Sequence, residues 1–98
     1  MSDHPARSTA EIATPQNNRY LTQLCKHFQH KLPVMLDDAS GHIAFSIGDC
    51  RLRAEAGRLT LSLDSPDDAQ LLQLQDVVAR HMLRFAFRET MDIVWNPA

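Results

Sequence analysis

Apolar and polar residues alternate strictly through the middle of the chain. Cys50, Leu52 and Ala54 alternate with Arg51, Arg53 and Glu55, and Leu59, Leu61 and Leu63 alternate with Thr60, Ser62 and Asp64. A period of two marks antiparallel strands with one wet face. His42–Ile47 reads the same way, with Ile43, Phe45 and Ile47 on one side, and Val34–Leu36 supplies a short strand before it. Turn residues separate these runs at Asp37–Gly41, Gly48-Asp49 and Ala56-Gly57. Cys50 shares the parity of Leu52, which directs its thiol to the core.

Two stretches switch to helical spacing. Leu21, Leu24, Cys25, Phe28 and Leu32 form one apolar stripe. Thr14 is placed to cap this helix and Pro15 to take its first position, and the helix is expected to reach about Lys31 before Pro33 stops it. The second helix is expected to open at Ser65-Pro66, with Asp67 and Asp68 where the helix dipole favours acids, and to run to about Phe85. Leu71, Leu74, Val78, His81, Met82 and Phe85 lie on or near one face of it. Ser8–Ala13 is expected to be a short edge strand. Met91–Trp95 is expected to be a final strand, with Met91, Ile93 and Trp95 of like parity. Residues 1–7 read as a flexible tail and residues 8–98 as a single domain. The element order is β-α-β-β-β-β-α-β, an α+β fold with two helices packed on one face of an antiparallel sheet.

Composition narrows the function classes. The chain has 98 residues and a formal charge of −2, without the basic excess of a nucleic-acid binder. No window approaches the roughly 20 apolar residues of a membrane span. Met1-Ser2-Asp3-His4-Pro5 carries no apolar export run, so a cytoplasmic location is expected, with Cys25 and Cys50 as free thiols, ligands or core residues. No nucleophile elbow, zinc-protease, phosphate-loop or paired C-x-x-C motif occurs. The reading therefore leans away from an enzyme.

Candidate chemistry concentrates in Arg19–Lys31, which holds Cys25, His27 and His30. On a helix Cys25 is turned ~160° from His27, so the two do not chelate together. Cys25 belongs to the core stripe, and with Cys50 it ranks behind the histidines as a ligand. His27 and His30 are neighbours on one face. His81 lies on the apolar side of the second helix. If the helices lie side by side, His27 and His81 meet. That pair, with or without His30, is a candidate for a transition metal or haem. The plainer role for each is a hydrogen-bonded histidine at the core boundary. Arg84, Arg88 and Glu89 are expected to form an ion network, the alternative being an anion held by the two guanidinium groups. His4 and His42 are expected to be solvated.

Arg19-Tyr20-Leu21, Leu24 through Phe28, and His30-Lys31 resemble a family of small bacterial proteins known as a conserved domain of unknown function. His81, Arg84–Glu89 and Trp95 match the same family, and Gly48–Ala54 fits its middle segment. The resemblance implies an association with siderophore-interacting flavoproteins, beside which such proteins are often encoded, and it supplies no catalytic residues. Three functional expectations follow. The first is a non-enzymatic accessory or binding protein of iron or siderophore metabolism, with such a flavoprotein as partner. The second is a direct metal or haem binder using His27 and His81. The third is a homodimeric interaction module.

Overall fold

The alternating runs form the sheet that their parity predicts. The computed structural model describes residues 5–98. Its elements are β1 (Ala6–Ala13), α1 (Asn17–Phe28), β2 (Val34–Leu36), β3 (Ser40–Phe45), β4 (Gly48–Glu55), β5 (Arg58–Ser65), α2 (Asp68–Phe85) and β6 (Asn96–Pro97). The strands join in one antiparallel sheet of order β2-β3-β4-β5-β1-β6. Both helices cover one face, α1 over β3 and β4 and α2 over β5 and β1. The α+β architecture and element order are those expected from the sequence.

The core lies between helices and sheet. Leu21, Leu24, Ile43, Leu59, Leu61, Leu74, Val78 and Met82 are fully buried there, and Cys25 and Cys50 are buried with them as free thiols. Burial pushes the Cys25 thiol up to about 11 and raises Cys50 further, with Cys25 and Asp49 adding to the rise. Both thiols are therefore held protonated, which suits packing and opposes use as nucleophiles or ligands.

The tight turn between β4 and β5 has a clear cause. Glu55 pairs with Arg58, and the two residues between them, Ala56 and Gly57, have φ of 51° and 71°. Two consecutive positive φ values give a connection whose twist matches that of the flanking strands.

Several boundaries differ from the sequence expectation. β1 begins at Ala6, inside the stretch read as a tail, while residues 1–4, including His4, lie outside the described residues. β1 is not an edge strand: it pairs with β5 along its full length and with β6 at Ser8 and Thr9. Its inward residues are Ser8, Ala10 and Ile12, too small or polar to read as a strong strand, yet they fit under α2, where Gln75 donates to Ser8 Oγ at 3.0 Å. Helix α1 starts at Asn17, because Thr14 Oγ1 accepts from Gln16 N–H in a local turn rather than capping the helix. It ends at Phe28, so His30 and Lys31 fall in the turn beyond it. The β3–β4 turn is Ser46-Ile47, and Gly48 already belongs to β4. The expected strand at Met91–Trp95 is irregular chain laid on the core, and β6 is only Asn96–Pro97.

The start of α2 also shifts. Asp67, not Ser65, is the N-cap: its carboxylate accepts from Gln70 N–H at 2.8 Å and from the Gln70 side chain at 3.0 Å. These two bonds hold the Asp67 carboxyl below its usual range. Ser65 ends β5, and its hydroxyl is buried without a hydrogen-bond partner. Asp67→Ala is therefore expected to lower the melting temperature by a few degrees, while Ser65→Ala leaves it unchanged or raises it. Thermal melts of the two variants check this; a larger loss for Ser65→Ala would count against it.

Candidate functional site

The two helices bring the predicted histidines together. His27, the penultimate residue of α1, and His81, one turn before the end of α2, have ring centroids 5.0 Å apart. Aromatic rings enclose the pair on one side. Phe28 lies 4.9 Å from both imidazoles, Phe85 lies 5.6 Å from His27, and Phe45 of β3 backs Phe28 at 4.9 Å. These contacts are edge-on or tilted, as aromatic packing favours.

The orientation of His81 is fixed by the backbone. Its Nδ1 lies 2.7 Å from the carbonyl oxygen of Val77, one turn earlier on α2. A carbonyl oxygen only accepts, so Nδ1 carries the hydrogen. In the neutral ring this leaves the lone pair on Nε2, the tautomer and support that a metal-ligating histidine normally has.

His27 is pushed toward the neutral form. Its pKa lies below the ordinary imidazole value, first because one side of the ring is covered, then because His81, Arg84, Lys31 and His30 surround it with positive charge. The neutral ring therefore stabilises the fold above the ordinary imidazole pKa of about 6.5, and that contribution is lost as pH falls through the lowered folded value. The melting temperature of wild type is expected to fall more steeply below about pH 6.5 than that of His27→Gln. Identical pH profiles for the two proteins would contradict this.

The other predicted site residues are placed as follows. His30 is exposed in the turn after α1. Arg84 is exposed on α2 and close enough to His27 to act on its charge. Arg88 lies over the Phe87 ring at 5.4 Å. Cys25 and Cys50 are inside the core and away from solvent. The expected Arg84–Arg88–Glu89 network does not form: neither arginine makes an ion pair among the described residues. Glu89 instead accepts from the Tyr20 hydroxyl in a very short bond and from Thr14 Oγ1 at 3.0 and 3.2 Å. Its position close to Arg84 and Arg88 in sequence misdirected the expectation. His42 also departs from expectation: it is half-buried and bonded through Nε2 to the Asp49 carboxylate at 2.9 Å. Among the described residues, no three His, Cys, Asp or Glu side chains are gathered to hold a metal ion. The imidazole pair thus stands without a carboxylate or thiolate.

A concavity elsewhere on the molecule was not signalled by the sequence. The sheet face opposite the helices carries a groove of about 590 Å³ lined by residues of β1 to β5 and the β2–β3 turn. Arg51 and Arg53 lie at its centre, on the strand parity that looked merely wet in the sequence.

Among the described residues, no helix is long and apolar enough to cross a membrane. No curated protein matches the chain. Among solved structures it is similar to the NMR structure of PA4090 from Pseudomonas aeruginosa, with 40% identity, a TM-score of 0.79, and coverage of 95% of this chain and 97% of that one. The model of a family described as "Uncharacterized protein conserved in bacteria (DUF2218)" matches residues 9–96. The chain belongs to this DUF2218 family of conserved bacterial proteins.

Proposed function

We propose that this protein is a non-enzymatic accessory protein of iron or siderophore handling that grips a metal chelate through His27 and His81. The observation that carries the reading is the 5.0 Å separation of the two rings, with His81 held so that Nε2 is free. Two imidazoles bonded to one tetrahedral ion at metal–nitrogen distances of about 2.0–2.1 Å have centroids about 5 Å apart. Axial ligands on opposite sides of a haem would stand about 6 Å apart with the macrocycle between them. The spacing favours two adjacent positions on a single ion over haem.

The surrounding charge refines the ligand. Lys31, Arg84 and His30 approach His27, and no carboxylate is among the groups that act on it. A bare dication is repelled by this positive charge, whereas a metal already wrapped in an anionic chelator is attracted by it. Imidazole suits iron, nickel, copper and zinc alike, so the metal is not selected by the ligand type. The link to iron comes from the family resemblance of the segments Arg19–Lys31 and Arg84–Glu89, which also names a siderophore-interacting flavoprotein as the partner to test by co-purification.

Titration of the tag-free protein with nickel nitrilotriacetate, an anionic chelate with two adjacent open positions, tests the site. Ferric citrate tests the iron reading. Binding of the nickel chelate is expected to weaken at least about tenfold in His27→Ala and in His81→Ala, the loss of one ligand bond, and to persist in His42→Ala. Unchanged binding in both single variants would remove the site. Tighter binding of free nickel than of the chelate would remove the chelate.

A second reading rests on the sheet edge. β2 is a short edge strand whose Met35 is 73% exposed, with Leu36 exposed beside it. A homodimer formed by this edge would cover both. A monomer by light scattering at all concentrations would exclude it.

A further inference from the structure

We infer that the groove on the open face of the sheet is a binding site for a small polyanion, held by Arg51 and Arg53. The register builds the site. The two arginines project from the same face of β4, roughly 7 Å apart along the strand. Arg53 is flanked in register by Ser40 of β3 and Thr60 of β5, and Arg51 by His42 of β3 and Ser62 of β5. Arg53 is thus bracketed by two hydroxyls able to donate hydrogen bonds, and Arg51 by the Ser62 hydroxyl and by His42, whose Nε2 is engaged with Asp49; all six of these residues line the groove. Its volume of about 590 Å³ lies within the range of small-molecule sites.

The charge pattern selects the occupant. Arg51 Nη1 donates to Asp64 at 3.1 Å, which steadies the side chain and leaves most of its donors unused. Arg53 is 3.9 Å from Glu55, beyond hydrogen-bond reach, and makes no hydrogen bond among the described residues. A planar fork with free donors recognises carboxylate or phosphate oxygens in two-point contacts. Three carboxylates also line the groove: Glu11 is engaged by Arg58 at 3.2 Å, Glu55 at the end of β4 is the one beside Arg53, and Asp37 lies in the turn after β2. The remaining donors of the two guanidinium groups make no hydrogen bond among the described residues. A molecule with two oxyanion groups spaced to reach both arginines meets this arrangement. The site is on the opposite face of the sheet from His27 and His81, so it stands or falls independently of the metal reading.

Backbone amide NMR of the tag-free full chain, titrated with citrate and with pyrophosphate against sodium chloride of equal ionic strength, tests the proposal and separates carboxylate from phosphate ligands. Saturable shifts confined to residues 40–42, 51–53 and 60–62 are expected with at least one polyanion. Arg53→Ala and Arg51→Ala are each expected to weaken that binding about tenfold, the loss of one charge-assisted contact. Arg53→Lys, which keeps charge but loses the fork, should fall between wild type and alanine. Shifts reproduced by sodium chloride, absence of saturation with both polyanions, or unchanged affinity in both folded alanine variants would overturn the proposal.

Discussion

Gly48→Ala is expected to destabilise the protein by about 3–5 kcal/mol, from overpacking together with backbone strain. Gly48 has φ of +150°, in a region that side chains rarely adopt, and it opens β4 opposite Phe45. An alanine Cβ there would lie 2.5 Å from Ser65 Oγ, closer still to the Asp64 carbonyl oxygen, and 3.0 Å from a Leu74 methyl. The closest of these is backbone of the neighbouring strand, which cannot swing aside. Total stability for a domain of this size is about 5–15 kcal/mol, so the variant should be largely unfolded in mild denaturant. Gly57→Ala provides the contrast. Its φ is also positive, but among the described residues nothing beyond its own chain neighbours lies within 4 Å of the added carbon, so only the backbone strain of about 1–2 kcal/mol remains. Urea unfolding of both variants decides the matter: a loss below about 1 kcal/mol for Gly48→Ala would show that the strands yield more readily than close packing allows.

Glu89→Ala is expected to cost about 2–4 kcal/mol, because it leaves two buried hydroxyls without their acceptor. Tyr20 and Thr14 are 5% and 2% exposed, and both donate to this one carboxylate. The contact ties the end of β1 and the start of α1 to the chain that follows α2. It also raises the Tyr20 pKa: the hydrogen bond to Glu89 contributes first, burial second, and the carboxylate charge third, against a small opposing effect of Arg19. The protonated phenol therefore stabilises the fold fully below its ordinary pKa of about 10, and the contribution is lost as pH rises through the higher folded value. Tyr20→Phe should lose less than Glu89→Ala. The double variant should lose less than the sum, because the two residues share one bond. A melting temperature for Glu89→Ala equal to that of wild type would refute this role.

The middle of the fold was legible because period two leaves little freedom: one face of each strand had to be the face carrying Leu52, Leu61 and Leu63. The flanks were harder, for different reasons. β1 hides its inward face behind Ser8 and Ala10, residues chosen for close approach to α2 rather than for hydrophobicity. At the other end, Met91, Ile93 and Trp95 alternate like a strand but only pack on the core, since ladder pairing on that side of β1 is limited to Ser8 and Thr9. The histidine pair was legible because each ring sits on a helical stripe, and two amphipathic helices on one sheet face must meet along those stripes. Glu89 was not, because its partners are 69 and 75 residues away in the chain. The groove is lined by residues of five strands together, an assembly that the alternation within any one strand does not encode.

The placement of β1 sets an order of folding. The β3–β4–β5 meander is joined by turns of two residues, so its pairs close with little loss of chain entropy. β1, although first from the ribosome, has nothing to pair with until β5 exists on the far side of half the chain. It must therefore wait unpaired and dock onto a nearly complete sheet, after which Asn96 and Pro97 pair with its outer edge. The slow, long-range step of folding is then the arrival of the N-terminal strand, and hydrogen exchange should protect β4 before β1.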